Sequence, residues 1–351
     1  MEKKITAEFT AKVFDDLSGA MASGLAYLGT RTGLFKTMAG KGPMTTEEVV
    51  SESGLQARYV EEWLKGMVCA RYLTYYPLNQ TFELPEEHAF MLASDGTDHF
   101  IGGLFHAIPM TMGVAERVAE AFVEGGGVPF SDYGEAGIEA IDLMNRGLYE
   151  QRFASYWLKS VPRVYDQLIS GSYVLDFGCG TGRATLALAD AFPNSEFVGL
   201  DIDRESIRKA RDYGETLGVS SRVRFLCQSV EKLSGSEKFD LIIACDCIHD
   251  LVDPIGVLRT LKTWLKPSGA LFVVEPKVAD HLEDNINAIG ALYYGMSVFH
   301  CMTQSLSQGG PGHGTCMGAD RFKDLVNEAG FKRFDLIDIK SQTTQFYLIG
   351  H

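Results

Sequence analysis

The feature that most constrains this chain is a short apolar run that leads directly into a glycine-rich turn. Residues Val174–Gly182 read VLDFGCGTG, with Gly178, Gly180 and Gly182 in the turn before a helical segment. Glycine is needed where the backbone takes a positive φ, or where a ligand approaches with no Cβ in the way. A strand, a glycine turn and a helix in this order predict a nucleotide-type binding site. A turn that binds nothing is the less favoured alternative.

The sequence around this turn alternates between short apolar runs and helical segments. That alternation is typical of a parallel, doubly wound sheet with helices on both faces. The last two runs are separated by only a short turn, which predicts a hairpin and therefore an antiparallel strand at the sheet edge. The predicted strands are Tyr173–Phe177, Glu196–Leu200, Val223–Cys227, Leu241–Ala244, Ala270–Val274, Arg333–Lys340 and Gln345–Ile349. We therefore predict an α/β fold with a mostly parallel, seven-stranded sheet.

The N-terminal third of the chain is mainly helical in pattern. A capping box over residues 45–48 begins a helix that ends near Ser53, and a second helix is predicted from Arg58 to Ala70. Two short runs, Tyr72–Tyr76 and Thr81–Leu84, then predict a two-stranded wing. We predict a winged-helix dimerisation domain over 1–96, a helical linker with substrate-pocket helices over 97–170, and a cofactor-binding catalytic domain over 171–351.

A winged helix-turn-helix favours either DNA binding or dimerisation, and charge discriminates between them. The net charge of −14 gives an acidic surface that phosphate backbones repel. In the helix that would read DNA, Arg58 and Lys65 are balanced by Glu61 and Glu62. We therefore predict a homodimer with no nucleic-acid partner, and a DNA-binding regulator is the remote alternative.

The remaining composition favours a soluble cytoplasmic protein with no membrane partner. The first residues carry lysines without an apolar run behind them, so they do not resemble a signal peptide. No stretch approaches the roughly 18 apolar residues that span a bilayer. The seven cysteines are odd in number and dispersed, which favours reduced thiols over a disulfide framework.

Two carboxylates narrow the choice of nucleotide. Asp201 follows the second strand, where a carboxylate can accept hydrogen bonds from ribose hydroxyls. The turn has the spacing G-x-G-x-G instead of the G-x-G-x-x-G of dinucleotide sites, and Asp176 stands immediately before it. A carboxylate there repels pyrophosphate but suits the ammonium and sulfonium groups of S-adenosylmethionine. The sequence therefore predicts S-adenosylmethionine as the cofactor.

From Ser172 to His351 the chain resembles the class I S-adenosylmethionine-dependent methyltransferases. The resemblance rests on VLDFGCGTG, VGLDID, FDLIIACDCIHDL and LKPSGALFVVEP. It implies that the two first glycines of the turn line the methionine part, that the loop after the third strand meets adenine, and that the backbone near the fourth strand's end receives the amino group. The family often has Asp where this chain has Ser229. The implied cofactor residues are Asp176, Gly178, Gly180, Asp201, Ile202, Ser229, Val230 and Cys245.

The candidate reacting residues follow the fourth strand. His249 and Asp250 lie in CDCIHDLVDP, at the carboxyl edge of the sheet, where ligands bind in such folds. Glu275, at the end of the fifth strand, is a second carboxyl for the same crevice. The pair resembles the plant-type O-methyltransferases, in which His-Asp supplies a general base, although Leu251 replaces the aromatic residue that follows it there. A histidine that only packs the crevice is the alternative.

A long insertion after the fifth strand carries a second candidate histidine. The segment ALYYGMSVFHCMTQSLSQGGPGHGTCMG contains His300, and its glycine-rich second half predicts a loop over the active site. Two imidazoles, from His249 and His300, suit Fe or Zn. This pairing resembles the α-keto acid C-methyltransferases of peptide-antibiotic biosynthesis, in which a metal held by two histidines chelates the substrate. The resemblance implies metal-assisted C-methylation. The alternatives are that His300 only packs, and that the enzyme is a metal-free O-methyltransferase.

Substrate contacts are predicted from the helices that precede the catalytic domain. Tyr133 and Tyr149 are candidates to close the pocket, and Arg146 has the geometry to clamp a carboxylate with two hydrogen bonds. A surface charge on a helix is the competing interpretation of Arg146.

Overall fold

The computed structural model describes residues 1–232 and 238–351, which form two compact units. The first unit contains Met1–Met110 together with Leu143–Gly147, and the second contains Thr111–Asp142 together with Leu148–His351. The segment 97–170, which we predicted as a separate helical linker, is divided between these units.

The first unit is a winged helix-turn-helix with additional helices. The predicted capping box is present, because the Thr45 side chain accepts from the Glu48 N–H and the Glu48 carboxylate accepts from the Thr45 N–H. Gly54 ends that helix at a φ of 69°. The elements are α1 (Lys3–Arg31), α2 (Leu34–Met38), α3 (Thr46–Ser53), α4 (Ala57–Cys69), β1 (Thr74–Tyr76), β2 (Thr81–Glu83), α5 (Glu86–Leu92), a 3-10 helix (Gly102–His106) and α6 (Ala107–Met112).

The core of this unit explains why the short helices hold together. Phe35, Val60, Trp63 and Leu64 are almost completely buried, and the ring of Trp63 packs edge-on against that of Phe35. Strands β1 and β2 pair antiparallel, as the predicted wing requires. The winged-helix prediction for this region is therefore confirmed.

The second unit contains a seven-stranded sheet, as predicted. The strands are β3 (Tyr173–Phe177), β4 (Glu196–Asp201), β5 (Val223–Cys227), β6 (Phe239–Cys245), β7 (Leu265–Pro276), β8 (Arg333–Ile337) and β9 (Thr344–Gly350). Their order is β5-β4-β3-β6-β7-β9-β8, and the first five are mutually parallel. The strand that runs against them is β9, which lies between β7 and the edge strand β8. The predicted hairpin is present, but its antiparallel strand lies one position inside the edge.

Helices cover both faces of this sheet, so its strands are buried on both sides. Along β3, Val174 contributes to one core and Leu175 to the other, as a pleated strand requires. The remaining helices are α7 (Ala115–Glu124), α8 (Gly134–Arg152, of which Leu143–Gly147 belong to the first unit), α9 (Pro162–Ser170), α10 (Arg183–Ala191), α11 (Arg204–Thr216), α12 (Pro254–Trp264), α13 (Ala288–Met296), α14 (Met302–Ser307) and α15 (Ala319–Glu328). Side chains of α10 and α11 pack on the first face, and those of α12 and α15 pack on the second. The doubly wound prediction is confirmed.

The insertion between β7 and α15 is helical in its first half and irregular in its second. A turn of π-helix, Ser297–Cys301, joins α13 to α14, and residues 308–318 contain no helix or strand. The order of strands reverses between β3 and β6, and ligands bind at the carboxyl ends of the strands at such a point. Across the described ranges, no helix combines the length and the apolar character needed to cross a membrane.

Candidate active site

The glycine turn is held by the backbone of the neighbouring strand. The N–H groups of Gly178 and Cys179 donate to the carbonyl of Leu200, at 2.8 and 3.1 Å, so the turn is fixed to the end of β4. Gly178 has a φ of 71°, and a Cβ there would lie 2.9 Å from the Cβ and Sγ atoms of Cys247. Gly180 has a φ of 52°, and a Cβ there would meet nothing within 4 Å. The turn is therefore closed on the side of Gly178 and open at Gly180.

Asp201 links this turn to the second strand. One oxygen of its carboxylate accepts from the Gly180 N–H and the other from the Asp203 N–H, both at 2.8 Å. Burial raises the pKa of Asp201. The next residue, Ile202, is an apolar side chain that is 68% exposed. A carboxylate oxygen can accept more than one hydrogen bond, so Asp201 fits the hydroxyls of a ribose, and Ile202 fits the aromatic face of a base beside it.

Asp176 is more deeply buried than the predicted contact with a ligand requires. It is 2% exposed, and its carboxylate accepts from the Thr185 hydroxyl in the first turn of α10. Burial raises the pKa of Asp176 to about 7. Its hydrogen bond holds α10 against the end of β3. Its role beside the cofactor stays a prediction.

The other predicted cofactor residues border the same crevice. The Gln228 N–H donates to the carbonyl of Asp201, at 2.9 Å, which places the loop with Ser229 and Val230 beside the end of β4. Val230 is 5% exposed, and Cys245, at the end of β6, is also buried. The ligand contacts of these residues stay predictions, although their positions agree with them.

Asp246 is a feature that the sequence did not reveal. It has a φ of 49°, an uncommon conformation for a residue other than glycine, and its carboxylate accepts from the Tyr149 hydroxyl at 2.7 Å. Burial raises the pKa of Asp246 to about 6. Because Asn and Asp tolerate this conformation better than most side chains, an Asp directly after a buried strand was the available signal.

His249 is fixed by two carboxylates on a 3-10 turn, Ile248–Asp250. Glu275 accepts from the Ile248 N–H at 3.0 Å and pairs with Nδ1 of His249. On the other side of the ring, Nε2 lies 3.3 Å from Oδ1 of Asp250. Burial disfavours the charged imidazole, but the carboxylates of Glu275 and Asp250 outweigh it and raise the pKa of His249 well above its usual value. Nδ1 is therefore committed to Glu275, which leaves Nε2, beside Asp250, as the ring nitrogen available to a further partner.

The insertion brings Cys301, in addition to His300, toward this turn. Three potential metal-donor atoms lie within 4.8 Å of one another, one each from His249, Asp250 and Cys301. His300 is not a member of that group. Its ring packs edge-on against Tyr133, with 4.8 Å between centroids, and its Nδ1 is buried without a hydrogen-bond partner among the described residues. Burial and the neighbouring His249 lower the pKa of His300 to about 4.

Of the three predicted substrate residues, Tyr133 and Tyr149 make hydrogen bonds within the second unit, whereas Arg146 belongs to the first unit. The Tyr133 hydroxyl donates to the carbonyl of Phe299 at 2.6 Å, and Tyr149 donates to Asp246. Both therefore lie against elements of the candidate site in the second unit. Arg146 is half-buried in α8 and belongs to the first unit, so its contact with a substrate carboxylate stays a prediction.

Part of each unit matches a family of known proteins. Residues 168–330 match the family of methyltransferase domains, and residues 19–94 match the Rv2258c-like winged helix-turn-helix domain. An O-methyltransferase family protein of Burkholderia thailandensis has a similar structure, with a TM-score of 0.68 at 15% identity, over 100% of this chain and 98% of that one. The chain has the class I methyltransferase fold with an N-terminal winged helix. Human N-acetylserotonin methyltransferase in complex with S-adenosylmethionine is also similar, with a TM-score of 0.67 at 19% identity, over 100% and 99% of the two chains.

Curated methyltransferases are similar in sequence over part of their length. Malonyl-[acyl-carrier protein] O-methyltransferase 2 of Ilyobacter polytropus is 30% identical over 28% of this chain and 37% of that protein. Methyltransferase GfsG of Streptomyces halstedii is 27% identical over 52% of this chain and 61% of that protein. The chain therefore spans less than two thirds of these relatives, and the similarity identifies its methyltransferase domain without identifying a substrate.

Proposed function

We propose that the chain transfers a methyl group from S-adenosylmethionine to a small molecule. The observation that carries the proposal is the pairing of Asp201 with the open glycine turn, within a domain that matches methyltransferases. Bound S-adenosylmethionine supplies an electrophilic methyl group. Asp201 holds the ribose, Ile202 covers the adenine, and the open face at Gly180 accommodates the methionine part.

The methyl acceptor binds beside Nε2 of His249 in this proposal. Glu275 fixes the ring through Nδ1, so Nε2 keeps one direction relative to the end of β6. Methyl transfer is an in-line displacement, in which positioning of the acceptor supplies much of the rate. A rigid, buried imidazole meets that requirement because its orientation is set before the acceptor binds.

The more specific proposal is C-methylation of an α-keto acid with a metal at His249 and His300. Two carboxylates, Glu275 and Asp250, flank the single imidazole of His249, and this excess of negative charge favours a cation at Nε2. A bound divalent or ferric ion supplies Lewis acidity toward a keto oxygen and a carboxylate. The buried Nδ1 of His300, which lacks a partner in the described part of the chain, supports a ligand near it.

The second candidate is O-methylation of a phenol or an acid without a metal. The Glu275–His249 pair favours it, because a carboxylate on Nδ1 orients a histidine to accept a proton at Nε2. In this candidate His249 first releases its Nε2 proton to solvent. The neutral ring then receives the acceptor's hydroxyl proton as the methyl group is transferred, and Asp250 stabilises the imidazolium that forms again.

A single assay set tests these proposals. Purified protein is incubated with methyl-labelled S-adenosylmethionine and either α-keto acids or phenols, and its metal content is measured by elemental analysis. Label in α-keto acids that disappears when metal is removed supports the first candidate, and label in phenols with metal-free protein supports the second. Asp201→Ala should abolish both binding of S-adenosylhomocysteine and transfer, whereas the exposed control Asp212→Ala should retain them. Binding that survives Asp201→Ala contradicts the cofactor site.

We also propose that the winged-helix unit forms a homodimer and does not read DNA. Along α1, Phe9 and Leu17 are 66% and 58% exposed, at a spacing that places them on one face. Within α4, Arg58 pairs with Glu62 and Lys65 with Glu61, so the basic groups are already neutralised. In sedimentation, Phe9→Glu with Leu17→Glu should yield a monomer, and Lys4→Glu should not. A wild-type monomer, or salt-dependent binding to a defined duplex, contradicts this proposal.

A further inference from the structure

The group formed by His249, Asp250 and Cys301 contains three kinds of donor atom that the sequence pattern did not associate. His249 and Asp250 lie on the turn after β6, and Cys301 ends the π-helical turn of the insertion. Their donor atoms are within 4.8 Å of one another, and His249 and Cys301 are 2% and 8% exposed. A nitrogen, an oxygen and a sulfur therefore converge in a buried position.

Two further observations point to a cation at this position. Oδ1 of Asp250 is buried and has no hydrogen-bond partner among the described residues, although Nε2 of His249 is 3.3 Å away. On the other side of the ring, Nδ1 of His249 faces Glu275. Histidines that bind metals almost always donate their other ring N–H to a carboxylate or carbonyl, which fixes the ring and its tautomer. A metal ion at this position would be coordinated by Oδ1 of Asp250 and by Nε2 of His249, while Nδ1 of His249 stays paired with Glu275.

We propose that His249 Nε2, the Asp250 carboxylate and the Cys301 thiolate bind a zinc-type divalent cation. Three protein ligands with mixed N, O and S donors suit Zn²⁺, whose catalytic sites keep a fourth position open for substrate. On binding, Cys301 loses its thiol proton and His249 loses its Nε2 proton, both to solvent, and the freed lone pairs on sulfur and Nε2 bind the ion. This inference rests on the proposed function in one respect only: the proposed function identifies the substrate that would occupy the fourth coordination position of the ion.

This donor set differs from the pair of histidines in the more specific proposal above. His300 lies next to Cys301 in sequence, but its ring packs against Tyr133, and its donor atoms are not in the group. The two ligand sets make opposite predictions for two variants. Cys301→Ser removes the sulfur and retains His300, whereas His300→Ala retains the sulfur.

Cobalt titration of the untagged full chain tests the proposal directly. Co²⁺ replaces Zn²⁺ in such sites, and a thiolate ligand gives a near-ultraviolet charge-transfer band that water and imidazole do not. The wild type and the control Cys316→Ser, which lies in the same insertion, should both show the band. Cys301→Ser should lose it and bind Zn²⁺ more weakly by at least the roughly 10- to 100-fold that loss of an outer-shell partner costs. Thermal shift with S-adenosylhomocysteine confirms that each variant is folded.

Several outcomes overturn the proposal. These are no Co²⁺ or Zn²⁺ binding by the wild type, a band that survives Cys301→Ser, and a band that His300→Ala abolishes. Methyl transfer is measured separately, so the two hypotheses fail independently. A protein that transfers methyl groups without binding metal overturns the zinc site alone, and one that shows the thiolate band without transferring methyl groups overturns the proposed function alone.

Discussion

The glycine turn and the His249 turn lie at the ends of neighbouring strands but are built in different ways. The first is formed mainly by backbone, with Gly178 and Gly180 at positive φ and N–H groups bonded to the end of β4. The second is formed by buried side chains, His249, Glu275 and Cys301, from three separate segments. A backbone site can be recognised from a few consecutive residues, whereas a side-chain site depends on how distant segments pack. The two should therefore respond differently to substitution.

The largest effect is expected at the side-chain site. His249→Ala removes the group that faces the acceptor, and loss of a positioned acid–base or ligand group typically costs about 10² to 10⁴ in rate. Affinity for S-adenosylhomocysteine should be unchanged, because His249 is not among the groups proposed to hold the cofactor. His281→Ala, at an exposed histidine of the same unit, is the control and should retain full turnover. Equal loss of cofactor binding and turnover in His249→Ala contradicts the division into two sites.

The next effect is expected at the backbone site. Gly178→Ala places a Cβ 2.9 Å from Cys247 and also strains a residue at a φ of 71°. Such strain costs about 1 to 3 kcal/mol of stability. Because the clash with Cys247 also displaces the turn itself, cofactor affinity should fall by roughly 100-fold, about 2.7 kcal/mol. Gly218→Ala has a similar φ, 69°, with nothing within 4 Å of its Cβ. That control should lose stability but keep the affinity measured by calorimetry. Unchanged affinity in Gly178→Ala means that the turn does not bind the cofactor.

The sequence predicted features that depend on local backbone pattern better than features that depend on the packing of distant side chains. Local patterns predicted the winged helix and the parallel strands, whose bounds mostly agree to within one or two residues, because hydrophobic period and turn residues act over short distances. β7 is an exception, since it begins at Leu265, whereas the predicted strand begins at Ala270. The antiparallel strand was predicted, but its place inside the edge depends on strand order, which a pattern does not contain.

Within the candidate site, the sequence predicted some residues and missed others. Asp201 was predicted from its place after the second strand, and the structure bonds it to Gly180. Cys301 was not selected, because its approach to Asp250 results from the packing of the whole insertion. Asp246 was missed because a positive φ at a residue other than glycine is set by tertiary contacts, here with Tyr149.

A third prediction uses the buried carboxylate beneath the glycine turn. The pKa of Asp176 is raised by burial from 3.8 to about 7, so the folded protein binds this proton more tightly than the unfolded chain does. The resulting stability is fully present below pH 4 and is lost as pH rises through about 7. Between pH 5 and pH 8 it amounts to roughly 2 to 3 kcal/mol. Asp176→Asn should show a correspondingly flatter dependence in denaturant unfolding.

The control for Asp176 must separate it from other buried carboxyls. Asp246 and Asp250, whose pKa values burial raises to about 6, also contribute to the profile of the wild type. The informative quantity is therefore the difference between variants, with Asp190→Asn, at an exposed position of α10, as the reference. Parallel profiles for Asp176→Asn and the wild type would show that Asp176 is ionised in the folded protein throughout this range.

The smallest effect is expected for substitution of Ile202. This substitution tests cofactor affinity separately from the free energy of unfolding. Because Ile202 is 68% exposed, Ile202→Ser should leave the free energy of unfolding within about 0.5 kcal/mol of the wild type. If adenine covers this side chain, the lost apolar contact costs about 1 kcal/mol, or roughly fivefold in cofactor affinity. Leu217→Ser, at an exposed position after α11, should change neither quantity. An affinity that does not change in Ile202→Ser would place the base elsewhere, and the exposed isoleucine would then have no role in the site.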